Sequence, residues 1–308
     1  MWRIATALTL LFIGCRHVSP IDSGPVLYEP IRVFNPGTSP QQMRKSALKV
    51  MTINLAHGRS TGFHQAFQST EKIERQLQET AHVIRREKPD VVALQEADSP
   101  SVWSGNFSHV TQLLSDTDFH IGVAGTHAKG MGLEYGTALL ANSHVTDTRS
   151  QTFLPAPVRP PKGFTSIRVE HPAFSTGIQI ISVHLDFLSA KQRIKQANQI
   201  IVALKENNTP LIIMGDFNCE WKQGDALTYL AEKLNLNANL PPQEAPATFP
   251  KTGRTLDWII TSQELKITEY TILKDKISDH LAVTAVIIPA QDEPFQRYNG
   301  EQRVLEKE

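Results

Sequence analysis

Cysteine is nearly absent. Cys15 and Cys219 are the two in 308 residues, and neither belongs to a Cys/His spacing of the kind that holds zinc, so a disulfide framework and a structural zinc site both lack support. Net charge is missing too: 31 Lys and Arg balance 31 Asp and Glu. There is no chain-wide basic field to hold nucleic acid, which leaves only local patches for that purpose. The apolar run near the N-terminus, residues 4–14, is too short to span a membrane, and no short-period repeat of the solenoid type occurs. What is there is ordinary apolar content over a length that suits one large α/β domain or two small ones.

The first residues read as an address. Arg3 precedes the apolar run, which has the size of a secretory signal's hydrophobic region. It ends Leu11-Phe12-Ile13-Gly14-Cys15, and a small residue directly before a cysteine at this point resembles the lipobox of bacterial lipoproteins. The resemblance implies cleavage after residue 14, a lipid on Cys15 and anchorage to a bacterial membrane in the cell envelope, facing the periplasm or exterior. A simple signal peptide or short anchor is the plainer alternative. Residues 15–46 carry Pro20, Pro25, Pro30, Pro36 and Pro40 with little apolar periodicity, the composition of an extended linker. The folded domain is expected over 47–290, and a charged, frayed tail over 291–308.

Within the domain, β-type and helical patterns alternate. Residues 48–54 read as a strand ending on Asn54. A helix follows from about Thr70, with Ile73, Leu77, Ala81 and Ile84 on one face and a stop at Pro89. Residues 90–94 form a buried strand ending in Gln95-Glu96. A short helix over 107–114, a strand over 119–123 and a strand opened by Glu134-Tyr135-Gly136 continue the rhythm. The second half repeats it. Residues 178–183 deliver His184, an amphipathic helix covers 190–205, 211–214 deliver Asp216 and Asn218, and a helix covers 225–234. After a Pro-rich loop, 256–260 is a strand carrying Asp257, and Ser278-Asp279-His280 precedes a last strand, 281–288.

The stretch Leu211-Ile212-Ile213-Met214-Gly215-Asp216-Phe217-Asn218 stops abruptly at a glycine and presents two polar oxygens two residues apart, which can both reach one metal ion or one water. Taken alone, Asp and Asn in such a place are ordinary turn formers, and so is Asn54. Glu96 is harder to dismiss, because a carboxylate ending a strongly apolar strand needs a partner. Asp257, inside an apolar run, reads as a hydrogen-bonded acid. His184 alone reads as a satisfied core histidine, and eleven histidines, including His57, His64, His82 and His127, argue against taking each as a ligand. Several carboxylates gathered in one cleft would imply a cation, bound protons or histidine partners. An oxygen-rich set without thiols suits Mg²⁺ or Mn²⁺ better than zinc.

In this order, Asn54, Gln95-Glu96, His184, Gly215-Asp216-Phe217-Asn218, Asp257 and Ser278-Asp279-His280, each after an apolar strand, resemble the endonuclease/exonuclease/phosphatase superfamily. The resemblance covers residues 48–289. It implies an α/β fold, a four-layer α/β/β/α sandwich of two mixed, mainly antiparallel sheets flanked by helices. It also implies a Mg²⁺-dependent (or Mn²⁺-dependent) phosphoesterase that hydrolyses phosphodiesters by in-line attack of activated water. The roles carried over are Glu96 as principal metal ligand, Asn54 at the same ion or at the phosphate, and Asp279 at the ion through water. Asp216 and Asn218 orient water and phosphate, and Asp257 fixes His280, the general base or a phosphate-stabilising cation. His184 stands near the leaving oxygen with Glu134 as its carboxylate partner. Substrate is left open between nucleic acid and phospholipid head groups, with a monomer expected and specificity in the loops 57–68, 125–133, 155–163 and 240–255. The competing class is a membrane-tethered binding or scaffold protein that keeps the fold without the chemistry; Asp216, Asn218, Asp257 and His280, all retained, stand against it.

Overall fold

In strand β2 (Leu48–Asn54) successive side chains turn to opposite faces. Leu48 and Val50 enter one apolar cluster, Met51 and Ile53 another. A strand buried on both faces lies between two layers. The computed structural model describes residues 31–34, 46–61, 68–154, 159–242 and 244–290, and in them the layers are two β-sheets packed face to face with helices outside.

Strands are numbered in chain order. The seven-stranded sheet runs β1 (Ile31–Phe34), β4 (Ile121–Gly130), β5 (Leu133–Ala141), β3 (Val91–Asp98), β2, β13 (Val283–Pro289) and β12 (Leu265–Ile272). The six-stranded sheet runs β10 (Leu236–Ala238), β11 (Asp257–Ser262), β9 (Leu211–Asp216), β8 (Phe174–His184), β7 (Gly163–His171) and β6 (Val145–Thr152). Each sheet is antiparallel except for one parallel pair, β2 with β3 and β8 with β9. A parallel pair needs a crossover, and helices α1 (Thr70–Glu87) and α3 (Ala190–Ala203) provide them.

Three apolar clusters match the three interfaces between layers. Val50, Ala93, Ile180, Ile212, Met214 and Ile259 lie between the sheets. Ile73, Leu77 and Ile84 of α1 and Leu113 of α2 (His109–Asp116) cover the seven-stranded sheet. Ala197 and Ile200 of α3 and Leu227 and Leu230 of α4 (Ala226–Lys233) cover the other. Each fully buried aliphatic side chain contributes about 1.5–3 kcal/mol, so a one-residue slip in any central strand is heavily opposed. That fixed register aims the polar residues at the strand ends.

The expected sandwich is present, with differences in detail. Ile31–Phe34, inside the stretch read as linker, is a strand paired with β4, so the folded unit begins before residue 47. The helix expected at 107–114 sits at His109–Asp116, where the Ser108 hydroxyl accepts the amide of Thr111. Strands β6, β7, β10 and β12 were not expected. β6 and β12 are edge strands with mostly half-exposed residues, so they carry little of the apolar run that marks a buried strand. Residues 1–14, Cys15 and the tail 291–308 lie outside the described residues. Among the described residues no helix is long and apolar enough to cross a membrane.

Candidate active site

Strand parity decides which polar side chains meet. Asn54 shares a face of β2 with Leu48 and Val50, and Asp216 shares a face of β9 with Ile212 and Met214. His184 lies on the face of Ile178 and Ile180 in β8, and Asp257 on that of Ile259 in β11. All four therefore point into the interface between the sheets. Parallel pairing sets the C-terminal ends of β2 and β3 side by side in one sheet and those of β8 and β9 in the other. The two sets meet across the sheets at one mouth, where Asn54 Nδ2 donates to Asp216 Oδ2 at 3.0 Å.

Glu96 reaches that mouth by an exception. Val92 and Leu94 face the helices, and strict alternation would send Glu96 the same way. A β-bulge between Gln95 and Ala97, with Glu96 at φ +50°, breaks the alternation. Its carboxylate then lies 3.3 Å from His57 Nε2 and 3.7 Å from Lys162 Nζ. Gly215 is a second local requirement, with φ +146°, where a Cβ would stand 2.1 Å from the Val183 carbonyl oxygen.

Asp216 is the centre. Its Oδ1 accepts the amide of Asn218 at 2.9 Å, and its Oδ2 lies 3.5 Å from His184 Nε2 and 3.9 Å from His280 Nε2. Asn218 donates Nδ2 to the Leu185 carbonyl at 3.0 Å. His280 Nδ1 is 2.8 Å from Asp257 Oδ2, and Phe249 lies over the imidazole at 4.8 Å between ring centres. Thr248, in the same loop, accepts the amides of Leu256 and Asp257 through its hydroxyl. The loop thus holds the acid while placing an aromatic roof on the histidine.

Burial and charge set the protonation states. Burial, reinforced by the Asp257 charge, pushes the Asp216 carboxyl up to about 7, against the pull of His280. Burial disfavours the His280 cation, but the charges of Asp257 and Asp216 outweigh it and raise that group to about 10. His184 goes the other way: burial and the Lys162 ammonium hold it well below the usual histidine range. Burial favours the protonated Glu96, yet His57, Lys162 and His184 together drive it far below the ordinary carboxylate range. At neutral pH the site therefore holds a cationic His280, a neutral His184 and an ionised Glu96.

The structure brings Asn54, Glu96, His184, Asp216, Asn218, Asp257 and His280 to one mouth. Glu134 is engaged elsewhere, and Asp279 is held in an ion pair beside the mouth. Glu134 pairs with Arg32 at 2.6 Å and Lys129 at 3.6 Å; the partner of His184 is instead Lys162, whose Nζ lies 3.0 Å from Nε2. Asp279 pairs with Arg59 at 2.7 Å. Residues not anticipated are Lys162, Phe249 and the pair His57 and Asp98, 2.7 Å apart with Trp103 Nε1 donating to Asp98. Lys162 leaves no motif. It precedes β7, where Gly163 is placed opposite His184 only by strand pairing.

The donor set fits a hard divalent cation, since oxygens dominate and no thiol is present. Among the described residues, Asp216, Asp257 and His280 have ligand atoms within 4.8 Å of one another. Yet Asp257 and His280 already bond each other, and all three are buried, which leaves no room for the waters that such an ion retains. Glu96 is the more accessible anchor, with its side chain 17 % exposed, although His57 and Lys162 approach its oxygens.

The same architecture occurs in solved structures. A functionally unknown conserved protein from Enterococcus faecalis V583 is 22 % identical, with TM-score 0.63 over 79 % of this chain and 100 % of that one. An endonuclease/exonuclease/phosphatase from Beutenbergia cavernae DSM 12333 is 17 % identical, with TM-score 0.63 over 80 % and 72 %. A mannosyl-6-phosphatase of Bacteroides thetaiotaomicron VPI-5482 is 14 % identical, with TM-score 0.58 over 78 % and 99 %. At these identities the likeness is one of fold. No curated protein matches the chain in sequence. The endonuclease/exonuclease/phosphatase family model matches residues 51–280, from β2 to the histidine beside Asp279, and the chain belongs to that family.

Proposed function

We propose that this protein is a metal-dependent hydrolase of phosphate esters that cuts phosphodiesters by in-line attack of water. The observation that supports it most is Asp216, a buried carboxylate flanked by His184, His280 and Asn54. Asp216 accepts a proton from the attacking water while the Asn218 amide fixes its other oxygen. His280, kept cationic by Asp257, stabilises negative charge on the phosphate rather than acting as base. Neutral His184 faces the leaving oxygen as a hydrogen-bonding group. Glu96, with Asn54 beside Asp216, would hold Mg²⁺ or Mn²⁺, whose chemistry there is neutralisation of charge on phosphate oxygens.

The test is hydrolysis of an aryl phosphodiester and of an aryl phosphomonoester, each with Mg²⁺ and with chelator. The monoester arm is included because one structural neighbour is a mannosyl-6-phosphatase. Metal-dependent turnover of the diester is expected; turnover of neither would leave the scaffold alternative. Plasmid DNA, RNA and phospholipids then separate the substrate classes. The cell-envelope placement through a lipid on Cys15 is part of the same proposal and rests on the sequence at residues 11–15. Labelled fatty acid that remains on a Cys15→Ser variant would remove it.

A further inference from the structure

Lys162 is a charged side chain at the mouth that none of the roles above uses. Its side chain is 8 % exposed, and burying an ammonium costs several kcal/mol unless anions compensate it closely. Compensation here is loose. The nearest carboxylate oxygen, Glu96 Oε1, is 3.7 Å away, beyond hydrogen-bond distance. Among the described residues the groups within reach of Nζ are the His184 ring nitrogens, at 3.0 and 3.3 Å. An ammonium has three N–H groups, and a neutral imidazole has one lone pair to accept. The remaining donors lie among Glu96, His184 and Asp216, the residues that the proposed function places around the attacked phosphate.

The surroundings of Lys162 show how it is held. Gly163 has no room for a side chain, since a Cβ there would lie 2.4 Å from the Gln151 carbonyl oxygen and from His127 Nδ1. Its pairing opposite His184 places the preceding residue beside the imidazole. On the other side Arg159 is tied to Asp186 at the carboxylate Oδ1, so both flanks of Lys162 are anchored to the strand end that carries His184. With its backbone so placed and its side chain buried against His184, Lys162 is a preorganised cation, which lowers the cost of orientation when an anion arrives.

We propose that Lys162 is a catalytic residue that donates directly to a non-bridging phosphate oxygen of the substrate, occupying beside His184 the place expected for a carboxylate. This rests on the phosphoesterase reading, but its test has an arm that does not. With the full chain, kcat/KM on the aryl phosphodiester is measured for Lys162→Met, Lys162→Gln and Lys162→Arg. In parallel, the thermal midpoint is followed with inorganic phosphate in chelator. The Met and Gln variants should lose about 100-fold in kcat/KM, as for removal of one preorganised donor, with Arg retaining more than either. Phosphate should raise the midpoint of the wild-type and Arg proteins and leave that of the Met and Gln proteins unmoved. A folded Met or Gln variant within threefold of wild type and still stabilised by phosphate would overturn the proposal, as would a wild-type protein that phosphate does not stabilise. Wild-type protein that turns over no ester, while phosphate stabilisation still depends on Lys162, would instead remove the hydrolase reading and keep the phosphate contact.

Discussion

Asp98 Oδ1 lies 2.7 Å from His57 Nδ1, and the far nitrogen of the same ring faces Glu96 at 3.3 Å. The site therefore contains two Asp–His pairs, Asp257 with His280 beside Asp216 and Asp98 with His57 beside Glu96. An acid behind a histidine fixes its tautomer and orientation. In the second pair the histidine is wedged between Trp103 and Tyr135, at 5.0 and 4.6 Å between ring centres, so it aims at Glu96 from a rigid seat.

Asp98→Asn is expected to weaken metal affinity rather than abolish turnover. The concentration of Mg²⁺ giving half-maximal hydrolysis should rise about 10- to 100-fold, with kcat at saturating metal close to wild type. An unchanged Mg²⁺ titration would show that His57 does not position Glu96.

Asp216→Ala and His280→Ala should each lower hydrolysis severely, by about 10²–10⁴, and leave the far-ultraviolet circular dichroism native. Asp257→Asn should lower kcat by about 10²–10⁴, and the double variant with His280→Ala should be no worse than His280→Ala alone, because the two act as a unit. Additive losses in that cycle would separate them.

His127 gives a pH prediction that reads stability rather than turnover. It is buried between Thr137 at 2.8 Å and Thr152 at 3.3 Å, and burial, with the Lys162 charge, lowers it from 6.5 to about 3. Between those values the unfolded chain binds the extra proton and the folded chain does not. Its contribution to stability is complete above pH 6.5 and is lost as the pH falls toward 3. The gap in thermal midpoint between wild type and His127→Gln should therefore narrow from pH 7 to pH 4; a constant gap contradicts it.

Gly215→Ala should be among the most damaging single changes. The new Cβ would meet the Val183 backbone, which cannot give way as a flexible side chain can, and φ +146° is unfavourable for alanine. A fall in thermal midpoint together with loss of activity is expected. A variant as stable as wild type would mean that β8 and β9 part more easily than their pairing indicates.

Cys219 is fully buried beside the site, and burial raises its thiol to about 12. A thiol so protonated is a poor nucleophile. It should resist an aromatic disulfide reagent until the protein unfolds, and Cys219→Ser should keep full turnover. Rapid labelling of native protein would show the thiol to be exposed.

The sequence by itself marked the apolar strands and the polar residues that end them, while the four-layer sandwich and the roles at its mouth came through family resemblance. Val-Ile-Leu runs ended by Asn54, Glu96, His184 and Asp216 read as buried strands delivering polar ends, because apolar patterning is a local property. The Asp257–His280 pairing was legible through family resemblance, and the structure shows the bond at 2.8 Å. Tertiary structure alone decided the rest. Glu134 is a carboxylate on a strand, and nothing local says that it meets Arg32 from a stretch that reads as linker. Lys162 is a lysine before a glycine until β7 pairs with β8 and sets it beside His184. Glu96 faces the mouth instead of helix α1 because one bulge inverts the alternation. These are effects of register and of contacts across some hundred residues of sequence, and they are fixed by the packing of two sheets rather than by any neighbour along the chain.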